Sequence, residues 1–276
     1  MKGPLRWAAR RLARRARPRL RAVGLLQTVR HHPAAVLEPG AERVLVLAPH
    51  PDDEVIGCGG ALARHVQAGA PVTVAFLTDG RHGHSSLGGL RGAERRRAEA
   101  ELVVRRKQEA EAALSVLGIR EAVFLDEEDT ALAVAPRVVQ RLAALLDDVR
   151  PQTVYAPFPL EEHPDHLAAA ELLLAAAERG GRGFDCVGYE VWTPLVANAY
   201  VVIDAVVDLK REALRRYVSQ LDDADYVHAA LGLNAYRSLV LGPPVRFAEA
   251  FFAAPLEEYR AAHLACRGRL AAAAAP

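Results

Sequence analysis

Two short stretches concentrate the residue types that do chemistry. "HPDDE" runs through His50, Pro51, Asp52, Asp53 and Glu54, and "HPDH" through His163, Pro164, Asp165 and His166. Each sets imidazole and carboxylate groups three residues apart or closer around a proline. A catalytic zinc ion takes three protein ligands from these types and keeps a position for water; other divalent first-row metals, Fe²⁺, Co²⁺ or Ni²⁺, tolerate the same shell. His50 and Asp53 can reach one ion together, and either His163 or His166 would complete the set. Asp52 would then stand beside the metal, free to take a proton from an activated water. Each stretch alone also has a plainer reading, with Asp165 as a helix N-cap and a histidine as an ordinary surface or core residue.

The two stretches lie more than a hundred residues apart, so a fold must bring them together. Residues 43–48, "RVLVLA", form a continuous apolar run that reads as a strand buried on both faces. A helix at 59–69, a strand at 71–78, a helix at 93–117 stopped by Gly118, a strand at 121–125 and a helix at 133–149 follow. A strand at 153–158 and a helix at 165–178 complete four strand–helix alternations. The pattern predicts an α/β fold: a Rossmann-like, mostly parallel sheet with helices on both faces. The last third reads as an α/β extension that completes the active-site cleft. It has strands at 186–192, 199–204 and 246–252 and helices at 209–221 and 226–239. Ligands of such sheets collect at the carboxyl ends of the strands, and "HPDDE" and "HPDH" both follow strands. "GCGG" after the first stretch lacks the GxGxxG spacing of a dinucleotide fingerprint.

Of the 276 residues 51% are hydrophobic and 25% charged, an ordinary globular composition. Cys58, Cys186 and Cys266 are odd in number and without a CxxC pair, which points to a reducing, cytoplasmic compartment. Ten of the 35 basic residues precede the first acidic one, Glu38, so the remaining 25 face 34 acidic residues, a net charge of −9. Residues 1–36 are therefore a basic arm, residues 37–270 a single domain, and 271–276 a frayed tail. The arm reads as a disordered extension or as an amphipathic helix making peripheral contact with the inner face of a membrane. Nucleic acid is not expected, since no reading module accompanies the charge. "AVGLLQTV" is too short for a secretory core, and no stretch approaches the roughly 20 apolar residues of a membrane span. The sequence leaves the oligomeric state open.

"APHPDDE" at 48–54 and "HPDH" at 163–166 resemble the signatures of the LmbE-like, or PIG-L, family of zinc-dependent de-N-acetylases. "TDG" at 78–80, "YEVWTP" at 189–194, "KREALRRYVSQ" at 210–220 and "AEAFF" at 248–252 extend the resemblance over roughly 44–252. It implies His50, Asp53 and His166 as the zinc ligands and Asp52 as the general base. It also implies His163, as a cation, facing the oxyanion or protonating the leaving amine, with Arg106 and Asp129 contacting sugar hydroxyls. The implied reaction removes an N-acetyl group from an N-acetylglucosamine-type conjugate. The partner is thus an amino-sugar substrate. Glu161 departs from relatives that place a tyrosine there, and the "RHGHSS" loop, with His82 and His84, from relatives with acidic residues. Trp192 reads equally as core or as a stacking platform for a pyranose. The alternatives are a hydrolase of another amide or thiol-sugar conjugate, as in antibiotic or glycopeptide tailoring, and a non-catalytic sugar-binding protein. The complete set His50, Asp52, Asp53, His163 and His166 argues against the last.

Overall fold

The computed structural model describes residues 35–180 and 183–273, with side chains through residue 266. The basic arm up to residue 34 and the last three residues lie outside the described residues.

The apolar run of the first motif forms β2 (Val44–Ala48), every residue of which is buried. β3 (Val72–Thr78) flanks it on one side and β5 (Thr153–Pro157) on the other, both parallel. Four of its five side chains are Val or Leu, each worth about 1.5–3 kcal/mol on burial. A central strand held on both edges gives the turn after Ala48 a fixed origin.

Further strands are β1 (Ala35–Val36), β4 (Glu121–Glu127), β6 (Asp185–Tyr189), β7 (Ala199–Val202) and β8 (Ala248–Pro255). They join in one sheet of order β1-β7-β8-β6-β5-β2-β3-β4. β8 runs antiparallel to β6 and β7, and the other pairings are parallel. The expected mostly parallel α/β sheet is thus present. Successive strands move outward to β4 on one side of β2 and start from β5 on the other. The strand order therefore reverses between β2 and β5, and the crevice at their carboxyl ends is where such sheets bind ligands.

The period-2 alternation of β2 divides the core. Leu45 and Leu47 pack with α3 (Pro136–Val149), α4 (Pro164–Gly180) and α8 (Leu256–Ala273). Val44, Val46 and Ala48 pack with α1 (Asp53–Gln67), α2 (Gly92–Leu117), α5 (Val207–Leu214) and α7 (Tyr226–Ser238).

Besides β1, a strand at Ala35–Val36 paired with β7 where the sequence reads the end of a disordered or helical arm, three elements differ from expectation. First, α1 begins inside the motif, at Asp53, six residues earlier than the sequence suggests. Its glycines are close-approach positions within the helix. A Cβ on Gly57 would lie 2.2 Å from the Tyr189 ring, and one on Gly60 2.5 Å from Ile203. Second, the helix expected at 209–221 is broken into α5 and α6 (Val218–Leu221). Tyr217 leaves helical geometry, at φ −81 and ψ 59, and turns its hydroxyl inward onto Glu54. Third, the unanticipated α8 covers one face with Leu256, Tyr259, Ala262 and Cys266. The Tyr259 hydroxyl donates to Pro157 O at 2.9 Å, at the end of β5. Cys58, Cys186 and Cys266 are buried and unbridged. Among the described residues no helix is long and apolar enough to cross a membrane.

The back of α1 is tied to the sheet by a fully enclosed ion pair, Lys210 with Glu249, 2.6 Å apart. Glu249 also accepts the Gly60 and Ala61 N–H groups at 2.8 and 2.7 Å, and Lys210 donates to Ile56 O at 2.8 Å. Replacing Lys210 with Met would leave Glu249 charged and enclosed. It is expected to lower the unfolding free energy by about 3–5 kcal/mol, read by chemical denaturation.

Candidate active site

The turn after β2 is pinned before it delivers any functional group. Both the N–H and the hydroxyl of Thr78, at the end of β3, donate to Pro49 O, at 2.9 and 2.8 Å. The His50 N–H then donates to Asp53 Oδ2 at 2.8 Å. The second motif enters from the loop after β5, and its last residues start α4.

Three donor atoms converge there. His50 Nδ1 lies 3.2 Å from Asp53 Oδ2 and 3.3 Å from His166 Nε2, and His166 Nε2 lies 3.2 Å from Asp53 Oδ2. A tetrahedral ion bound at about 2.0–2.1 Å holds its ligand atoms about 3.3–3.4 Å apart. The triangle therefore fits one face of such a shell, with the fourth position left to water or substrate. The chemistry of the set, two imidazole nitrogens and one carboxylate oxygen, fits a divalent first-row metal.

The far side of each imidazole meets a carboxylate, as metal-bound histidines require. His50 Nε2 lies 3.1 Å from Asp165 Oδ2 and 3.2 Å from Asp129 Oδ1. His166 Nδ1 lies 3.5 Å from Glu161 Oε2, an ion-pair distance without hydrogen-bond geometry. A second grouping of metal-ligand types shares His50 and includes Asp129, His163 and Asp165. Its carboxylates are already engaged. Asp165 accepts the Thr130 and Leu132 N–H groups at 2.7 and 3.0 Å, and Asp129 accepts the His82 N–H at 3.0 Å. A further grouping brings His163 together with His50 and His166. Asp165, read from sequence as a possible N-cap, instead ties the loop after β4 to His50.

Charge in the site follows these contacts. Burial opposes ionisation of Asp53, yet His166 and His50 hold its carboxyl far below the ordinary range. Burial likewise works against His50 and His166, but the facing carboxylates prevail: Asp129, Asp165 and Asp53 raise His50 well above an ordinary histidine, and Asp53 and Glu161 raise His166 to about 9. Asp129, despite burial, is lowered to about 2 by His50, the His82 N–H and Arg106.

Asp52 and His163 border the same cleft, of about 370 Å³. Burial pushes Asp52 up to about 7, and the Arg106 guanidinium, 3.3 Å from its Oδ2, pulls the other way. His163 differs from expectation. Burial, with the neighbouring His50 and His166 adding to it, lowers its pKa below that of an ordinary histidine, which favours the neutral ring. Its Nδ1 accepts the Asp165 N–H at 3.2 Å, which places the ring proton on Nε2. The neutral ring can therefore still donate.

Arg106 and Asp129 reach the cleft, but both also serve the motif. Arg106 donates to Pro51 O at 2.5 Å and to Gly80 O at 3.2 Å, and Gly80, at φ 65, leaves it room. Removing its cation is expected to move the acid limb of kcat/KM to higher pH, because Asp52 is the form lost on protonation. Arg106→Met should show this in a pH profile, with about 10–100-fold lower activity at neutral pH, and Arg106→Lys should largely keep the wild-type limb.

His82 and His84 line the cleft in a loop fixed by Ser85, whose N–H donates to Asp223 Oδ2 at 2.7 Å. Trp192 belongs to the cleft rather than the core: it is 55% exposed, its ring 5.8 Å from that of Tyr226. Glu161 is buried and accepts the Val191 and Trp192 N–H groups at 2.7 and 3.1 Å, fixing the loop that presents Trp192. Sequence reasoning missed three partners: Glu161 behind His166, Asp165 behind His50, and Tyr217 on Glu54. The last two depend on contacts between distant segments, whereas Glu161 lies just ahead of "HPDH", five positions before His166. A larger groove of about 990 Å³ opens at the amino ends of β5 and β6, and no histidine or cysteine is among its described lining residues.

Comparison with known proteins agrees with this geometry. The PIG-L family model, described as GlcNAc-PI de-N-acetylase, matches residues 45–177, which hold both motifs. Diacetylchitobiose deacetylase of Thermococcus kodakarensis is 31% identical over 201 residues, covering 66% of this chain and 71% of its own. The chain belongs to the PIG-L family. PIG-L deacetylases are metal-dependent, and the His/Asp group of His50, Asp129, His163 and Asp165 could bind a metal. This PIG-L chain is also 32% identical over 197 residues to the probable N-acetyl-alpha-D-glucosaminyl L-malate deacetylase 2 of Bacillus subtilis, covering 66% of itself and 84% of that protein. Among solved structures, N,N'-diacetylchitobiose deacetylase from Pyrococcus horikoshii matches with a TM-score of 0.68 at 26% identity, over 79% of this chain and 86% of that one. The PIG-L match ends in α4, ahead of Trp192, Tyr217 and Tyr226.

Proposed function

We propose that this chain is a zinc-dependent hydrolase that removes the N-acetyl group from an N-acetylglucosamine-type conjugate, giving acetate and a free amine. The observation that carries the reading is the triangle of His50, Asp53 and His166, with Asp52 and His163 beside it on one cleft. These three residues would hold the zinc, which when bound polarises a carbonyl and brings the pKa of a bound water down to about 7.

The chain's own groups supply the rest. Asp52 takes the proton as water adds to the acetamide carbon. His163, with its proton on Nε2, donates to the carbonyl oxygen as charge develops there, a contribution of about 3 kcal/mol for one well-aimed donor. The C–N bond then breaks, and the proton gathered by Asp52 passes to the departing amine. The carboxylates of Asp165 and Asp129 hold the imidazole of His50 in orientation, and Glu161 sets a negative charge beside His166. Trp192 offers an exposed ring to the apolar face of a pyranose.

The relatives carry amino-sugar substrates in their names, diacetylchitobiose and an N-acetylglucosaminyl malate, and this favours N-acetylglucosamine over other amides. The test is acetate release by the zinc-reconstituted protein across free, nucleotide-linked, lipid-linked and polymeric N-acetylglucosamine conjugates. Hydrolysis of at least one, with loss of a single acetyl group, is expected. Turnover of none of these, alongside turnover of an unrelated amide, would overturn the substrate reading.

A further inference from the structure

The Pro51–Asp52 peptide unit is gripped at both ends. Its carbonyl, Pro51 O, accepts from Arg106 Nη2 at 2.5 Å, and its N–H, on Asp52, donates to Glu54 Oε2 at 3.1 Å. Asp52 needs the grip. Its φ of 135 and ψ of −28 fall where side chains other than glycine are rarely found. The other Glu54 oxygen accepts the hydroxyl of Tyr217, which gives up helical geometry between α5 and α6 to reach it. The strained backbone of Asp52 and the helix break at Tyr217, far apart in sequence, thus meet on one carboxyl group. Glu54 is wholly enclosed and does not border the cleft, so it cannot touch substrate.

We infer that Glu54, oriented by Tyr217, is a positioning residue that holds the strained Asp52 backbone so that the Asp52 carboxylate points into the cleft. This rests on the reading of Asp52 as the general base. Arg106 holds the carbonyl end of the same peptide from α2, so the base is suspended between α2 and the α5–α6 turn. Asp53, by contrast, is held from the His50 N–H and does not need this grip. Loosening the clamp should therefore cost turnover and spare the metal.

The test compares Tyr217→Phe, Glu54→Gln and Glu54→Leu in the full, zinc-loaded chain by kcat, KM, zinc affinity and hydrogen exchange of the Asp52 amide. Losing one hydrogen bond to a buried carboxylate predicts a kcat about tenfold lower in Tyr217→Phe, and losing the acceptor about a hundredfold lower in Glu54→Leu. Glu54→Gln keeps an acceptor and should retain kcat within about fivefold of wild type. KM and zinc affinity should stay near wild type in all three. Because Tyr217 acts through Glu54, the double variant should be no slower than Glu54→Leu alone. Unchanged kcat, zinc affinity lost in step with kcat, or additive effects in the double variant would each overturn the inference. If Glu54→Leu fails to fold, Tyr217→Phe and Glu54→Gln still decide it. A wild type that releases no acetate would instead sink the proposed function. The Asp52 amide would then still test the clamp: slow exchange in wild type and faster exchange in Tyr217→Phe is expected, and equal rates would overturn it.

Discussion

Asp52→Asn is expected to lower kcat by about a thousandfold, within the range that a positioned acid–base group contributes, while zinc content stays at one per chain. Asparagine has the same shape and keeps a hydrogen-bond acceptor, so Arg106 and the peptide grip retain their partners. What it lacks is an oxygen basic enough to take up a proton. The burial that pushes Asp52 up to about 7 makes it a capable proton acceptor near neutral pH, and the Arg106 guanidinium keeps enough of it ionised to act. The pair of measurements is turnover by acetate release and zinc by elemental analysis. Near-normal turnover in this variant would remove Asp52 from its role, and loss of zinc would make it a ligand.

The second large effect concerns the ion. His50 and His166 are both raised by the carboxylates around them, His166 to about 9, so the metal-free triangle carries protons that an incoming ion must displace. Zinc affinity should therefore fall as pH is lowered below about 9, by up to tenfold per pH unit for each proton displaced. The sign follows from the raised pKa values: the proton competitor is fully present at low pH and is lost as pH rises through them. A competition titration against a chromogenic chelator near pH 6 and near pH 8 reads the slope. His166→Gln should weaken zinc binding by several orders of magnitude at either pH. Asp165→Ala, which removes a carboxylate behind His50, should weaken it by about 10–100-fold. A pH-independent affinity would mean that the triangle is not the seat.

The site was legible in the sequence to the extent that its parts are local. "HPDDE" announces itself because five apolar residues of β2 run into a cluster of charge, and "HPDH" because a second such cluster follows another strand. The choice between His163 and His166 as third donor was not local. It depends on how α4 leaves the sheet, and there His166 Nε2 faces Asp53 while His163 Nδ1 is taken by the Asp165 N–H. The environment of His163 was hidden for a related reason: burial lowers its pKa first, and the neighbouring imidazoles that add to this come from two motifs, one of them over a hundred residues away.

The fold's legibility has the same boundary. Parallel strands and long helices showed in periodicity. The start of α1 did not, because Asp52 provides no side-chain cap and three glycines of the helix read as a breaker. The break at Tyr217 answers to Glu54, 163 positions away. α8 was obscured by its alanine-rich end, although Leu256, Tyr259, Ala262 and Cys266 do recur at helical spacing.

The central claim is that a metal held by His50, Asp53 and His166, worked by Asp52, removes an acetyl group from an amino sugar. One experiment meets it directly: N,N'-diacetylchitobiose and other N-acetylglucosamine conjugates incubated with chelator-stripped protein, with the same protein reloaded with zinc, and with zinc-loaded Asp52→Asn. Loss of one acetyl group, followed by mass, is expected with the reloaded wild type alone. Equal deacetylation by the stripped protein or by Asp52→Asn would contradict the claim.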